Sequence, residues 1–189
     1  MSADDRVKWD ARYRSAGALA REPSTFLRSL DALLPRPSAA TRALDVAGGD
    51  GRNAVWLARR GYGVTVADVS PVGLDLARAS AAAAGVSLRL VEIDLECEPL
   101  PSGPFALIVS FNFLWRPLFR AFPSALAPGG MLVYLQPTRT NLTRHPTPSV
   151  HHLLDDGELR GLVVGLEVVR YEEGWFDDRH EARLVARKP

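Results

Sequence analysis

The 189-residue sequence has a single cysteine, Cys97, which excludes an internal disulfide framework and favours a reducing compartment. It has no apolar run close to the roughly 20 residues that a membrane-spanning helix needs. The N-terminal segment MSADDRVKWD lacks the basic and then apolar order of a signal peptide. We therefore expect a cytoplasmic protein without a membrane partner.

An excess of charge of one sign is also absent, because 23 Lys and Arg residues face 22 Asp and Glu residues, for a formal net charge of +1. Binding to a polyanion usually needs a marked positive excess, so a small-molecule partner is favoured over a nucleic acid. No Cys and His residues have zinc-site spacing and no carboxylate cluster indicates magnesium, so no metal is expected. The sequence carries no signal for an oligomeric state.

Short apolar runs rich in branched residues alternate with helical segments through most of the chain. Five of these runs are predicted strands: residues 43–47, 64–68, 88–93, 105–110 and 131–136. Predicted helices span residues 23–34, 52–60 and 71–84. The last helix has Ser70 as its N-cap, Pro71 in its first turn and Gly85 at its end.

Strands that are joined by crossover helices run parallel, with the helices on both faces of the sheet. Residues 166–171 and 181–187 are also strand-like, but only about nine residues join them, so they predict an antiparallel hairpin. The predicted fold class is α/β, doubly wound, with a mostly parallel seven-stranded sheet and this C-terminal hairpin. We expect one domain over residues 1–189, with N-terminal helices in residues 1–37 capping a site on the core, residues 41–189.

The strongest motif covers residues 44–53, where a predicted strand runs into a glycine loop that opens a helix. Gly48, Gly49 and Gly51 allow the backbone to approach a ligand without a Cβ atom in the way. The second strand ends at Asp68, where a carboxylate can accept both hydroxyl protons of a ribose. Asp94, at the end of the third strand, is suited to accept from an adenine amino group. These three strand ends predict a cofactor that contains adenosine.

Two cofactors fit that prediction. Residues 49–54 also satisfy the dinucleotide pattern G-x-G-x-x-G/A, so an NAD(P)-dependent oxidoreductase is an open alternative. A third possibility is a non-catalytic subunit that binds the cofactor and works with a partner protein.

The same motifs resemble those of the class I S-adenosylmethionine-dependent methyltransferases. Asp45 and the following glycines are similar to the family's first motif, residues 68–71 to its second, and Asp94 with Leu95 to the next. Residues 126–130, before a strand, complete the series. The resemblance implies a Rossmann-like methyltransferase fold and S-adenosylmethionine as cofactor. Ala47 departs from the commonest form of the motif, which has glycine there.

Within that class the chain resembles the small tellurite-resistance-type branch, through residues 9–13, 51–53 and 165–173. This resemblance implies methyl transfer by in-line displacement to a small acceptor: a thiol, a metalloid oxyanion or another small nucleophile. Residues 110–113 lack the Asn-Pro-Pro-Tyr type of motif that acts on nucleobase amines. The cofactor-binding residues expected from the motifs and the resemblance are Arg12, Asp45, Ala47, Gly48, Gly49, Gly51, Arg52, Asn53, Asp68, Val69, Asp94, Leu95, Ser110 and Phe111.

Three segments are expected to meet over the strand ends and to form an acceptor pocket: the N-terminal helix, the loop 137–150 and the hairpin turn 172–180. The candidate acceptor-binding residues are Tyr13, Asn112, Trp115, Arg139, Arg144, His145 and Trp175. No catalytic residue is identified, because a sulfonium donor is already activated and alignment carries much of the rate. Tyr13, Asn112 and His145 are candidates for a catalytic role.

Overall fold

The computed structural model describes residues 3–16, 22–38 and 40–189. Part of the predicted capping region, residues 1–2 and 17–21, lies outside the described residues. The helices are α1 Ala3–Ala16, α2 Thr25–Ser29, α3 Arg52–Ala58, α4 Pro71–Ala83, α5 Phe122–Ala125 and α6 Leu159–Leu162. The strands are β1 Arg42–Val46, β2 Gly63–Asp68, β3 Arg89–Glu92, β4 Phe105–Phe111, β5 Leu126–Pro137, β6 Glu167–Phe176 and β7 Arg179–Arg187.

All seven strands form one sheet in the order β3-β2-β1-β4-β5-β7-β6. The first five strands are parallel, and β7 pairs antiparallel with both β5 and β6. The predicted fold class is therefore confirmed. The order reverses at β1, from which β2 and β4 extend in opposite directions, and ligands in open α/β sheets bind at such a switch point.

Each face of the sheet carries its own apolar core, because successive side chains of a strand point to opposite sides. Leu44 and Ile108 lie in a cluster with α5 and α6. Ala43 and Leu107, one residue earlier in each strand, lie in a second cluster with α2, α3 and α4. Helices thus cover both faces, as predicted.

The C-terminal hairpin is longer than predicted. Its strands pair from Glu167 with Arg187 to Phe176 with Arg179, so only residues 177 and 178 form the turn instead of about nine. Trp175 and Phe176 are aromatic residues that favour strands, and their pairing extends the ladder to the turn. Asp177 has φ of 53°, a left-handed conformation that aspartate tolerates in tight turns.

One helical prediction, that for residues 23–34, differs clearly from the structure. The helix expected over 23–34 ends at Ser29, and the following residues form tighter turns in which the N–H of Leu33 donates to the carbonyl of Leu30. The β3–β4 connection has no helix, since Pro99, Pro101 and Pro104 remove backbone donors there. Among the described helices, none is long and apolar enough to cross a membrane.

Candidate functional site

A cleft of about 840 Å³ lies at the carboxyl ends of the parallel strands. Its floor consists of the residues that follow β1, β2, β4 and β5. Its walls come from α1, from the loop after β5 and from the β6–β7 turn, including Asp178 and Arg179. The three segments that were predicted to meet over the strand ends therefore do line one cleft.

The loop after β1 reverses the chain sharply at the bottom of the cleft. Ala47, Gly49 and Gly51 all have positive φ, of 51°, 54° and 73°. Alanine is accepted at the first of these positions, where the commonest motif has glycine. A Cβ atom on Gly48 would lie 2.8 Å from Cγ of Asp45, so glycine at 48 makes room for that carboxylate.

Asp45 is a buried carboxylate without a full set of hydrogen bonds. It is 2% exposed, lines the cleft, and its Oδ2 has no hydrogen-bond partner among the described residues. Burial raises the pKa of Asp45 to about 7, against a smaller lowering by the positive charge of Arg52. A donor or cation that entered the cleft would therefore stabilise the ionised form.

Asp68 joins the end of β2 to the glycine loop. Its Oδ2 accepts from the N–H of Gly49 at 2.8 Å and its Oδ1 from the N–H of Ser70 at 2.9 Å. Burial raises the pKa of Asp68 to about 6 despite these two bonds. Each carboxylate oxygen has a second lone pair, so the side chain still has acceptor capacity towards the cleft.

Helix α1 covers this part of the cleft and is attached to α4 by a polar contact. The hydroxyl of Ser70, the N-cap of α4, donates to Oδ1 of Asp10 and accepts from the N–H of Gly73. The ring of Tyr13 packs between Gly49 and Gly73, and a Cβ atom on either glycine would collide with it. Both glycines therefore seat α1 on the core.

On the other side of the cleft, the ends of β4 and β5 present polar side chains. Asn112 has φ of 59° and its N–H donates to the carbonyl of Leu135. Gln136 is 2% exposed, and its Nε2 donates to the carbonyl of His152 at 2.5 Å. His145 closes this side, with Nε2 at 2.6 Å from the carbonyl of Asp178 in the hairpin turn.

Comparison with known proteins agrees with this geometry. A model of the methyltransferase domain matches residues 43–130. The demethylmenaquinone methyltransferase of Thermus thermophilus is 36% identical over 116 residues, which are 58% of this chain and 52% of that protein. A TehB-like SAM-dependent methyltransferase from Corynebacterium glutamicum aligns over 100% of both chains with a TM-score of 0.70 and 22% identity.

Residues 43–130 therefore match a methyltransferase domain, and the chain is similar to the class I S-adenosylmethionine-dependent methyltransferases. A further relative is the tRNA 5-carboxymethoxyuridine methyltransferase of Escherichia coli K12, 34% identical over 99 residues, or 48% of this chain and 38% of that protein. The chain thus spans about half or less of the length of these curated relatives. These matches favour the methyltransferase over the nicotinamide alternative, and the cofactor of the family is S-adenosylmethionine.

Most of the residues predicted for the methyltransferase site do meet in the cleft. Those that line it are Arg12, Tyr13, Asp45, Ala47, Gly48, Arg52, Asn53, Asp68, Val69, Phe111, Asn112 and His145. Gly49 and Gly51 belong to the same loop but lie against Tyr13 and Ala77.

Several predicted residues lie outside the cleft because other contacts hold them. Leu95 and Ser110 are 1% and 0% exposed, and Leu95 packs in the core on the α5 and α6 side. Trp115 packs against the same core. Asp94 lies beyond β3, where its Oδ1 accepts from the N–H of Glu96 at 3.0 Å. Asp94 thus lies shortly after the third strand, where the spacing placed it, but it is not among the residues that line the cleft.

The two predicted arginines of the loop after β5 are also outside the lining of the cleft. Arg139 pairs with Asp155 at 2.5 Å, and the guanidinium of Arg144 lies 3.7 Å from the ring centroid of Trp175. None of these three acceptor candidates, Arg139, Arg144 and Trp175, lines the cleft. Arg139 pairs with a carboxylate, and Arg144 and Trp175 pair with each other, in both cases across a long stretch of sequence that spacing does not reveal.

Lys8 and Gln136 line the cleft but were not predicted. Lys8 lies four residues before Arg12, so the two share a face of α1, and that spacing was available in the sequence. Gln136 ends the predicted strand 131–136, and the strand-end argument that identified Asp68 applies to it equally.

Proposed function

We propose that this chain transfers a methyl group from S-adenosylmethionine to a small molecule that enters the cleft beside the cofactor. The observation that carries this proposal is the continuity of the cleft, which runs from Asp45 and Asp68 to Asn112 and Gln136. Its volume of about 840 Å³ is within the usual range of ligand pockets and suits a nucleoside-sized cofactor with a small acceptor.

The residues of the cleft fit the proposed cofactor. Asp68 retains lone pairs for the two hydroxyls of a ribose. Asp45 offers an unpartnered, buried oxygen to a cationic amino group, which would also remove the cost of its burial. The glycine loop has no side chain at residues 48 and 49 to obstruct a close approach.

S-adenosylmethionine supplies a methyl group that is already activated on a sulfonium sulfur. When bound, it would supply this methyl group to the acceptor atom and keep the electron pair of the broken sulfur–carbon bond, and the proton of a protonated acceptor would pass to solvent. The chain's contribution is to align the acceptor and exclude water, through α1, the loop after β5 and the hairpin turn. His145 borders the acceptor side and is held by Asp178.

The identity of the acceptor does not follow from the relatives. One relative is named for demethylmenaquinone and another for a tRNA nucleoside, so their acceptors belong to different chemical classes. A net charge of +1 gives little attraction for tRNA, which favours the small molecule.

The first experiment measures binding of S-adenosylmethionine, S-adenosylhomocysteine, NAD and NADP to the purified protein by calorimetry. We expect micromolar binding of the first two only. Asp68→Ala should weaken that binding at least about a hundredfold with an unchanged fold, because two loop N–H groups and the cofactor hydroxyls lose their acceptor.

Asp75→Ala is the matched control, since Asp75 is an exposed aspartate of α4 that pairs with Arg78 and does not line the cleft. Binding of nicotinamide cofactors alone would contradict the proposal. Cofactor binding without turnover of any small acceptor or of tRNA, together with a tight protein partner, would instead support the non-catalytic subunit.

A further inference from the structure

The side-chain amide of Gln136 forms a hydrogen bond through its nitrogen but not through its oxygen. Nε2 donates to the carbonyl of His152 at 2.5 Å, whereas Oε1 has no hydrogen-bond partner among the described residues. The orientation of the amide is determined by this bond, because the reversed amide would place two carbonyl oxygens against each other. The buried side chain therefore keeps an unused acceptor atom, and the residue belongs to the lining of the cleft.

Its place in the sheet puts Gln136 on the acceptor side. β1 and β5 are separated by β4, so the end of β5 lies two strand spacings, roughly 10 Å, from the glycine loop. Phe111 pairs with Leu135, which brings the next residues, Asn112 and Gln136, to the same level at the sheet edge. The proposed ribose contact at Asp68 is one strand further away, on the other side of β1.

Two other polar side chains on this side of the cleft, Asn141 and His145, already have partners within the chain. Nδ2 of Asn141 donates to the carbonyl of Thr147 at 3.2 Å, and its Oδ1 accepts from the N–H of His180 at 3.2 Å. The ring of His145 is held by Asp178. A buried acceptor without a donor is unfavourable, so an incoming ligand with a donor would gain by satisfying Oε1.

We propose that Oε1 of Gln136 accepts a hydrogen bond from the methyl acceptor, and that the acceptor therefore carries an N–H or O–H group, as an amine, a phenol or an alcohol does. This inference rests on the proposed methyl transfer and narrows its substrate class. An oxyanion or a thiolate has no donor and leaves Oε1 unpaired. Its negative charge is also repelled by the partial negative charge of Oε1, so these acceptors are disfavoured.

The test uses matched fragments soaked into crystals of the complex with S-adenosylhomocysteine: phenol against anisole, and aniline against N,N-dimethylaniline. We expect phenol and aniline at the end of β5, with the donor within about 3.2 Å of Oε1, and neither methylated partner there. Equal occupancy of the methylated fragments, or no donor within reach of Oε1, overturns the proposal.

Gln136→Met keeps the length of the side chain and removes the carbonyl. We expect it to weaken phenol binding in solution at least about tenfold, with unchanged affinity for S-adenosylhomocysteine. Leu135→Met is the control, because Leu135 is on the same strand but faces the α2, α3 and α4 cluster. Failure of S-adenosylhomocysteine to bind would refute the methyltransferase proposal, whereas intact binding with equal phenol affinity in both variants would refute the role of Gln136.

Discussion

At the scale of single residues, the two buried aspartates of the cleft keep hydrogen-bond acceptor capacity that the chain itself does not use. Asp68 receives two backbone N–H bonds, whereas Asp45 keeps one oxygen without a partner. The pKa values follow the same order, at about 6 for Asp68 and about 7 for Asp45. A carboxylate that is desolvated without compensation favours a ligand that brings a cation or donors.

Asp45→Asn tests this directly. Because burial raises the pKa of Asp45 from 3.8 to about 7, the folded protein binds more protons than the unfolded chain between about pH 4 and pH 7. The contribution of Asp45 to the free energy of unfolding therefore falls as pH rises through that window. We expect Asp45→Asn to be more stable than the wild type at pH 8, by roughly 1–3 kcal/mol, and similar to it at pH 4.

The measurement is urea unfolding of both proteins at several pH values, in parallel with binding of S-adenosylmethionine at pH 8. Asp45→Asn should bind the cofactor more weakly, because the neutral amide no longer attracts its amino group. A stability difference that does not change between pH 4 and pH 8 would count against the shifted pKa.

At the scale of elements, α1 depends on a few contacts with α4 and the glycine loop for its place over the cleft. Its sequence is mostly polar, Asp10 is its one buried residue among the described side chains, and it rests on α4. The contact from Ser70 to Asp10 and the packing of Tyr13 on Gly49 and Gly73 attach it. Such an element opens locally more easily than the sheet.

Asp10→Ala should loosen α1 without unfolding the core. The hydroxyl of Ser70 loses its acceptor, which is worth about 1 kcal/mol. We expect faster hydrogen exchange of α1 amides and several-fold weaker cofactor binding, with unchanged exchange in β1 and β4. Arg14→Ala is the control on the same helix. The exposed guanidinium of Arg14 lies 3.7 Å from Oδ2 of Asp10, and its removal keeps the acceptor for the hydroxyl of Ser70. Unchanged exchange in α1 would show that the Ser70 contact does not hold it.

The strands were predictable from sequence because runs of branched apolar residues favour extended structure. The start of α4 was predictable because Ser70 and Pro71 are residues that favour the first turn of a helix. Sequence periodicity located the buried face of residues 23–34 correctly, since Phe26, Leu27 and Leu30 are buried. It could not show that the helix ends at Ser29. The side-chain directions of Arg139, Arg144 and Asp94 depend on partners distant in the chain or on turn geometry, which spacing does not encode.

At the scale of the whole molecule, the cleft joins segments from both ends of the chain. Residues of α1, of four strand ends and of the β6–β7 turn line it, although about 165 positions separate Tyr13 from Asp178. A cofactor held there would contact α1, the strand ends and the hairpin turn at once, although these parts are distant in the sequence. Binding should therefore stabilise the fold as a unit.

A thermal melt measures that coupling. A ligand at 100 times its dissociation constant stabilises the folded state by about 2.7 kcal/mol. For a domain of this size, each kcal/mol raises Tm by roughly 2–4 °C. We expect S-adenosylhomocysteine at that concentration to raise Tm by about 5–10 °C, and NAD at the same concentration to leave it unchanged. Asp68→Ala, with binding weakened about a hundredfold, should shift by no more than about 1–2 °C with S-adenosylhomocysteine, whereas Asp75→Ala should shift as the wild type does. A shift as large as that of the wild type in Asp68→Ala would place the ligand outside this cleft, because Asp68 connects its floor to the glycine loop.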